Sequence, residues 1–244
     1  MTSSSSAVFG ILKHMQEILL IDKPKGITSF DVIRRVRKQI NIKKIGHAGT
    51  LDPLATGLMI LGVGPGTKKL TELIKLDKDY VAEVLIGESR TTGDMEGEIV
   101  ESVDIIELDP ANILVAVAGL VGTITLPVSA YSAIKKDGVP MYKRARAAEK
   151  IGEIVTDVPV RDMLVQAATV ANIEVVFSDT TMTTINRILV TVHFSVGSGT
   201  YIRSLAEELG RRLGYPATLA NLRRTRVGQF KIEESQQIED LKAE

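Results

Sequence analysis

Cysteine and tryptophan are absent from this 244-residue chain, and aromatic residues of every kind make up 4 % of it. Without cysteine there is no disulfide framework and no thiolate zinc site. Histidine occurs three times, at 14, 47 and 193, too scattered for a His-rich metal site. No apolar run approaches the roughly 20 residues of a membrane span. Net charge is also missing, since 30 lysines and arginines balance 30 acids. Taken alone, that balance argues against a nucleic-acid partner. What remains is an ordinary globular composition, 44 % hydrophobic and 25 % charged, in a chain long enough to bury a sizeable core.

The distribution of charge says more than its sum. Arg34, Arg35, Arg37, Lys38, Lys43 and Lys44 follow one another with no acid between them. Arg211, Arg212, Arg223, Arg224 and Arg226 form a second acid-free run. Lys135 to Lys150 adds Lys135, Lys136, Lys143, Arg144, Arg146 and Lys150 against Asp137 and Glu149. The compensating acids collect between Asp94 and Asp109, with seven acids and no base. Any one run reads as a solvated helix face. Three together, segregated from the acids, describe a phosphate-binding surface on a neutral protein.

Residues 1–15 read as a leader, with low-complexity serines at 3–6 and Met15 as an alternative start. The leader lacks the arginines and the apolar stretch of a transit or signal peptide. Strands are expected over Glu17–Ile21, Leu58–Val63, Tyr80–Ile86, Val121–Thr125, Ala130–Ile134, Val170–Phe177, Ile188–Ser195 and Val227–Ile232. Val32, Ile33, Val36 and Ile40 recur at helical spacing behind Ser29, a candidate N-cap. Further helices are expected from Gly66 through Leu73, over Pro110–Val117 with Asp109 near the cap, over Met141–Lys150 and over Ile202–Leu213, where Gly214 marks the end. Ser178–Asn186 reads as a polar loop. Strands and helices mix irregularly with hairpin-like neighbours, which predicts an α+β fold rather than a doubly wound sheet.

The densest chemical signal is Gly46-His47-Ala48-Gly49-Thr50-Leu51-Asp52-Pro53-Leu54-Ala55-Thr56-Gly57. It sets one carboxylate, Asp52, on a loop stiffened by Pro53 and bent by glycines. Such an acid is a candidate nucleophile or general base. The plain reading of the local pattern is an Asp-Pro turn between two core segments. The loop resembles the catalytic motif of the TruB family of tRNA pseudouridine synthases, and three further segments resemble that family in the same order. They are Ile18 to Ser29, with a Lys-Pro-x-Gly turn at Lys23, then Lys78-Asp79-Tyr80, and then Gly199-Thr200-Tyr201-Ile202-Arg203. The resemblance runs from about Ile18 to about Phe230.

The resemblance implies a central, mostly antiparallel sheet with flanking helices and a cleft across it. It implies isomerisation of uridine to pseudouridine in RNA, at position 55 of the tRNA T-loop, by a flipped-out base and an aspartate, with no cofactor and no metal. Asp52 is then the essential carboxylate, by attack at C1′ or C6 or by assisting glycal formation. Arg203 is its cationic partner; a guanidinium stays charged and grips a carboxylate with two hydrogen bonds. A surface arginine is the plain alternative, and the helix dipole disfavours a cation at that first turn. Tyr80 lies against the base and takes part in proton removal. Tyr201 and Leu222 line the base pocket, His47 meets the RNA where the base leaves, and Lys23 supports the catalytic loop or a phosphate.

Two departures from the family pattern stand out. Leu126, Val128 and Ser129 replace a glutamine and two prolines, although Gly138, Tyr142, Ala145 and Arg146 follow as expected. The expected organisation is a leader over 1–15 and a single catalytic domain over 16–244, with a divergent insertion around 147–187 and no room for a C-terminal PUA-type RNA-binding domain. The implied partner is the T-arm of tRNA, bound by a cytoplasmic monomer that needs no protein partner and no membrane. The alternatives are the same chemistry on another RNA, and a tRNA-binding or folding protein whose catalysis is secondary or lost.

Overall fold

The computed structural model describes residues 17–153, 155–180 and 183–241, so the leader expected over 1–15 lies outside them. The chain forms two compact units: one runs to Leu76 and resumes at Arg224, and the other is Asp77–Arg223.

The first unit opens with β1 (Ile18–Lys23), whose alternation puts Leu19, Ile21 and Lys23 on its buried side. Helix α1 (Ser29–Ile40) follows, with Val32, Ile33 and Val36 buried at the spacing that predicted it. Its cap is Thr28 rather than Ser29: Thr28 and Asp31 exchange hydrogen bonds in a capping box, Asp31 N–H to Thr28 Oγ1 at 3.1 Å and Thr28 N–H to Asp31 Oδ2 at 2.9 Å. Ser29 is instead the first helical residue, with its hydroxyl turned inward. Asn41 at φ 52° ends the helix in the left-handed region. Strands β2 (Ile45–His47) and β1 both pair antiparallel with β3 (Thr56–Val63). The short helix expected from Gly66 through Leu73 is divided between a 3₁₀ turn over Gly64–Lys69 and α2 (Leu70–Leu73).

The second unit begins with β4 (Lys78–Ile86) and a small hairpin of β5 (Glu88–Arg90) and β6 (Ile99–Ser102). Helix α3 (Pro110–Ala118) starts as predicted, with Asp109 accepting from the Ala111 N–H at 2.8 Å. Next come β7 (Gly122–Pro127), the two-residue strands β8 (Lys135–Lys136) and β9 (Val139–Pro140), and α4 (Met141–Glu149). The long strands β10 (Val160–Thr180) and β11 (Thr183–Val196) are followed by α5 (Ile202–Leu213) and β12 (Ala217–Val227). The large sheet here runs in the order β12–β4–β11–β10–β7. Its β4–β11, β11–β10 and β10–β7 pairs are all antiparallel. The chain therefore has the α+β class and the mostly antiparallel sheet that were expected. Leu205 and Leu209 of α5 are fully buried, while Gly214 at φ 79° closes the helix.

Past Arg224 the chain rejoins the first unit. Strand β13 (Phe230–Lys231) returns on Arg226–Val227, and Gln236 bonds to both Leu20 and Asp22 of β1. Val227 joins Ala48, Leu58 and Ile60 in the core there.

Three expectations fail for readable reasons. Ala130–Ile134 is a turn and not a strand, because the Ser129 hydroxyl accepts from the Tyr131 N–H at 3.2 Å and folds the backbone locally. The described part of Ser178–Asn186 is strand and not loop, with Phe177 opposite Asn186 and Thr180 opposite Thr183. Threonine is polar enough to read as loop yet β-branched enough to pair. Residues 181 and 182 lie outside the described residues. The expected final strand over Val227–Ile232 divides between the end of β12 and the two residues of β13. Strand β12 itself is masked by its arginines, whose charge conceals the alternation.

Candidate active site

In the first unit the Asp52 loop is held almost carbonyl by carbonyl. Lys23, at the end of β1 and 0 % exposed, points its ammonium into the loop. It donates to the carbonyls of Pro24 at 3.1 Å, Pro53 at 3.2 Å and Ala55 at 2.5 Å. Arg224, 1 % exposed, holds the other side. Its Nε donates to Leu58 O at 2.8 Å, and its Nη atoms reach Thr50 O at 3.5 Å and Gly49 O at 3.3 Å. Ser29 completes the grip, since its hydroxyl donates to Leu51 O at 2.9 Å and accepts from Leu51 N–H at 2.8 Å.

Main-chain bonds tighten the same loop, Gly26 N–H to Pro53 O at 2.8 Å and Ala55 N–H to Asp52 O at 3.1 Å. A buried cation is costly unless its protons are placed, and the carbonyls that Lys23 and Arg224 bond here fix the backbone of the loop. The Asp52 side chain is half-buried in this frame. Gly57, at φ 103°, lies where an added Cβ would stand 2.3 Å from Arg224 O, which makes the position closed to any side chain.

His47 ends β2 opposite Leu61 of β3 and is half-buried. Burial holds its imidazole below the ordinary value; the Gly49 backbone opposes this, and the Arg224 guanidinium adds to it. Its buried Nδ1 has no hydrogen-bond partner among the described residues.

The second unit carries the remaining predicted residues. Tyr80 sits on the inward face of β4, buried, directly opposite Phe194 of β11. Leu222 is buried on β12, and Tyr201 is the half-buried residue immediately before α5. Arg203 is 6 % exposed, so the surface alternative is excluded for it. Its Nη1 donates to Thr92 O at 2.9 Å and lies 3.7 Å from Asp94 Oδ2, while Nη2 reaches Tyr131 O at 3.5 Å.

Asp94 is the residue that sequence reasoning missed. It is 2 % exposed, and its Oδ1 accepts from Thr92 Oγ1 at 2.6 Å and from Glu96 N–H at 3.1 Å. That arrangement fixes the carboxylate and turns its other oxygen toward Arg203. The signal available was Thr92-Gly93-Asp94, a turn with an acid whose own loop satisfies it, hidden at the head of a long acidic run. The pair also offsets the unfavourable dipole at the start of α5.

Among the described residues no helix is long and apolar enough to cross a membrane. The TruB family pseudouridylate synthase (N terminal domain) model matches residues 37–202. The tRNA pseudouridylate synthase B C-terminal domain model matches residues 203–244. Together with the fold, these matches place the chain among the pseudouridylate synthases. Proteins named tRNA pseudouridine synthase B are similar to it over most of its length. The one from Leifsonia xyli subsp. xyli is 41 % identical over 227 residues, 92 % of this chain and 71 % of that protein. The one from Corynebacterium efficiens is 42 % identical, over 92 % of this chain and 71 % of that protein. The chain belongs to the TruB family.

Among solved structures, an H/ACA RNP bound to a substrate RNA containing 2′-deoxyuridine matches with a TM-score of 0.62 and 26 % identity, over 95 % of this chain and 54 % of that one. The archaeal box H/ACA sRNP Nop10–Cbf5 complex matches with a TM-score of 0.60 and 26 % identity, over 95 % and 54 %. The chain thus spans about half the length of these structural relatives.

Proposed function

We propose that this protein isomerises uridine 55 of the tRNA T-loop to pseudouridine, acting on a base turned out of the RNA, with Asp52 as the essential carboxylate. The reaction breaks the N1–C1′ bond, joins C5 to C1′ and moves the C5 proton to nitrogen, so nothing is gained or lost overall. Its demand on the protein is an acid fixed against the sugar–base junction. The observation that carries the reading is the clamped loop: Lys23, Ser29 and Arg224 bond the backbone on both sides of Asp52 and leave that side chain no backbone freedom. Such preorganisation is what converts a bound base into a reacting one. The names of the TruB-family relatives support tRNA as the substrate.

In this reading Arg203 is the cationic partner that the family resemblance implies for the carboxylate, and Asp94 keeps its guanidinium in place. Tyr80, Tyr201 and Leu222 receive the flipped uracil, and His47 meets the RNA where the base departs. The same reading takes the chain to act as a cytoplasmic monomer, which sedimentation with and without tRNA checks.

The test is product analysis of unmodified tRNA incubated with wild-type protein and with Asp52→Asn. Pseudouridine at the T-loop uridine with the wild type only, while both proteins bind tRNA, is the expected result. Product at another position, or undiminished product from Asp52→Asn, overturns the proposal.

A further inference from the structure

The three basic runs of the sequence meet different fates. Arg211 and Arg212 are both bonded to Glu208, at 2.6 and 2.8 Å through their Nε atoms. Arg224 is spent on the Asp52 loop. In the central run Lys136 pairs with Asp157, Arg144 pairs with Asp137 and Arg146 lies over the Tyr142 ring, while Lys135, Lys143 and Lys150 are exposed with no ion-pair partner among the described residues. The run on α1 and the turn after it also keeps free cations, and α1 carries an exposed aromatic ring among them. Arg34 pairs with Asp31, and Arg37 turns inward to donate to Ile45 O at 3.1 Å. Arg35, Lys38, Lys43 and Lys44 are exposed and have no ion-pair partner among the described residues.

The cations on α1 itself share a face. At about 100° per residue, Arg34, Lys38 and Arg35 fall within an arc of about 140° counted from Phe30. The buried residues Val32, Ile33 and Val36 occupy the opposite side. Phe30 stands on the basic face and is 61 % exposed, an uncovered aromatic ring beside the charges. A lone ring is too little apolar surface to insert into a lipid interface, where an amphipathic helix needs a whole apolar face. It is enough to stack on a base or a ribose.

The face is also in register with the candidate active site. Ser29, the first residue of α1, is bonded through its hydroxyl to Leu51, the neighbour of Asp52. Arg35 and Lys38 therefore lie about 9 and 14 Å further along the helix axis at about 1.5 Å per residue. That is too far to touch the reacting nucleoside, and suited to phosphates elsewhere in the same RNA.

We propose that the outer face of α1 and the turn after it, through Arg35, Lys38, Lys43, Lys44 and Phe30, form a second RNA contact that grips the ribose–phosphate backbone away from the isomerised base. The inference rests on the reading of the chain as an RNA-modifying enzyme. It assigns the surface a role in capture and register, with no part in the chemical step.

The test uses the full chain with Arg35→Gln, Lys38→Gln, Lys43→Gln and Lys44→Gln combined, and full-length unmodified tRNA. At about 0.1 M salt the affinity falls tenfold or more, and the slope of log affinity against log salt shrinks by about 4, near one unit for each of the lost phosphate contacts. KM rises and kcat stays as in the wild type. The pair Lys43→Gln and Lys44→Gln, outside the helix and unable to unfold it, gives about half the change in slope. Phe30→Ala weakens binding and leaves the slope unchanged.

Wild-type affinity and slope in the fourfold variant overturn the proposal. So does a variant that loses binding to phosphatidylglycerol vesicles while keeping its tRNA affinity. If the wild type binds tRNA and makes no pseudouridine, the proposed reaction falls, and the change in salt slope still decides the surface.

Discussion

Arg224 and Leu58 are joined by a buried hydrogen bond, from the guanidinium Nε to the carbonyl oxygen at 2.8 Å. The same side chain spans to Gly49 and Thr50 on the far side of the loop. One cation therefore ties both ends of the segment that carries Asp52. Arg224→Met leaves these carbonyls without their donor and is expected to lower stability by about 2–4 kcal/mol, from buried acceptors left unpaired. It is also expected to lower kcat by about 100-fold through misplacement of the carboxylate, with tRNA affinity little changed. Arg224→Lys restores charge without the fork and recovers only part of either loss. Urea unfolding and single-turnover kinetics check both; a variant with wild-type kcat would remove the clamp from the mechanism.

Gly57→Ala tests the same loop by steric means. The residue sits at φ 103°, and a Cβ would meet Arg224 O at 2.3 Å and Arg224 N at 2.8 Å, both backbone atoms that cannot swing aside. Positive φ alone costs a non-glycine residue about 1–2 kcal/mol. The collision adds to it, so the thermal midpoint should fall by several degrees or more, and the product yield with it. Thr56→Ala, one residue away and without that clash, serves as the control for calorimetry.

Much of this was legible. Val32, Ile33 and Val36 announced α1 by spacing, Asp109 and Gly214 announced helix ends, and the Asp52 loop announced itself by its glycines. What was not legible was the destination of charged side chains. Arg224 belongs to a run that reads as solvent-facing, yet it is in the core because strand alternation turns every second residue inward. Lys23 gives no sign of being fully buried, since lysine is almost never so unless its protons are placed, and here three carbonyls from separated positions place them. Asp94 was lost among its acidic neighbours for the same reason: composition records charge, and only tertiary contact records who meets it.

Asp94→Asn probes that contact directly. The substitution keeps an oxygen that Thr92 Oγ1 and the Glu96 N–H can reach and removes the charge 3.7 Å from Arg203 Nη1. The turn should persist, so stability changes by about 1–2 kcal/mol, within the range for a weakened charge-assisted contact. Activity should fall much further, because Arg203 loses the group that orients it at the first turn of α5. The measurement is kcat and tRNA Kd side by side. A fall in kcat with constant Kd is the expected pattern; equal losses in both would make Asp94 a general stabiliser of the unit.

The His47 imidazole gives a pH dependence whose sign follows from its surroundings. Burial chiefly, with the Arg224 charge adding to it, holds the folded-state pKa below the ordinary 6.5. The unfolded chain therefore binds the proton first as pH falls, and folding stability rises with pH across the window below about 6.5. The contribution is fully present above that value and is lost progressively as pH drops through the folded-state pKa. His47→Gln removes the titration, so the variant's urea midpoint should vary less than that of the wild type between about pH 7.5 and pH 5. Arg224→Met should raise the His47 pKa toward its ordinary value, because it deletes the repelling charge, and NMR titration of the imidazole reads that shift directly. A His47 pKa that stays put in Arg224→Met would mean that burial alone sets it, and the predicted coupling between loop clamp and histidine would be wrong.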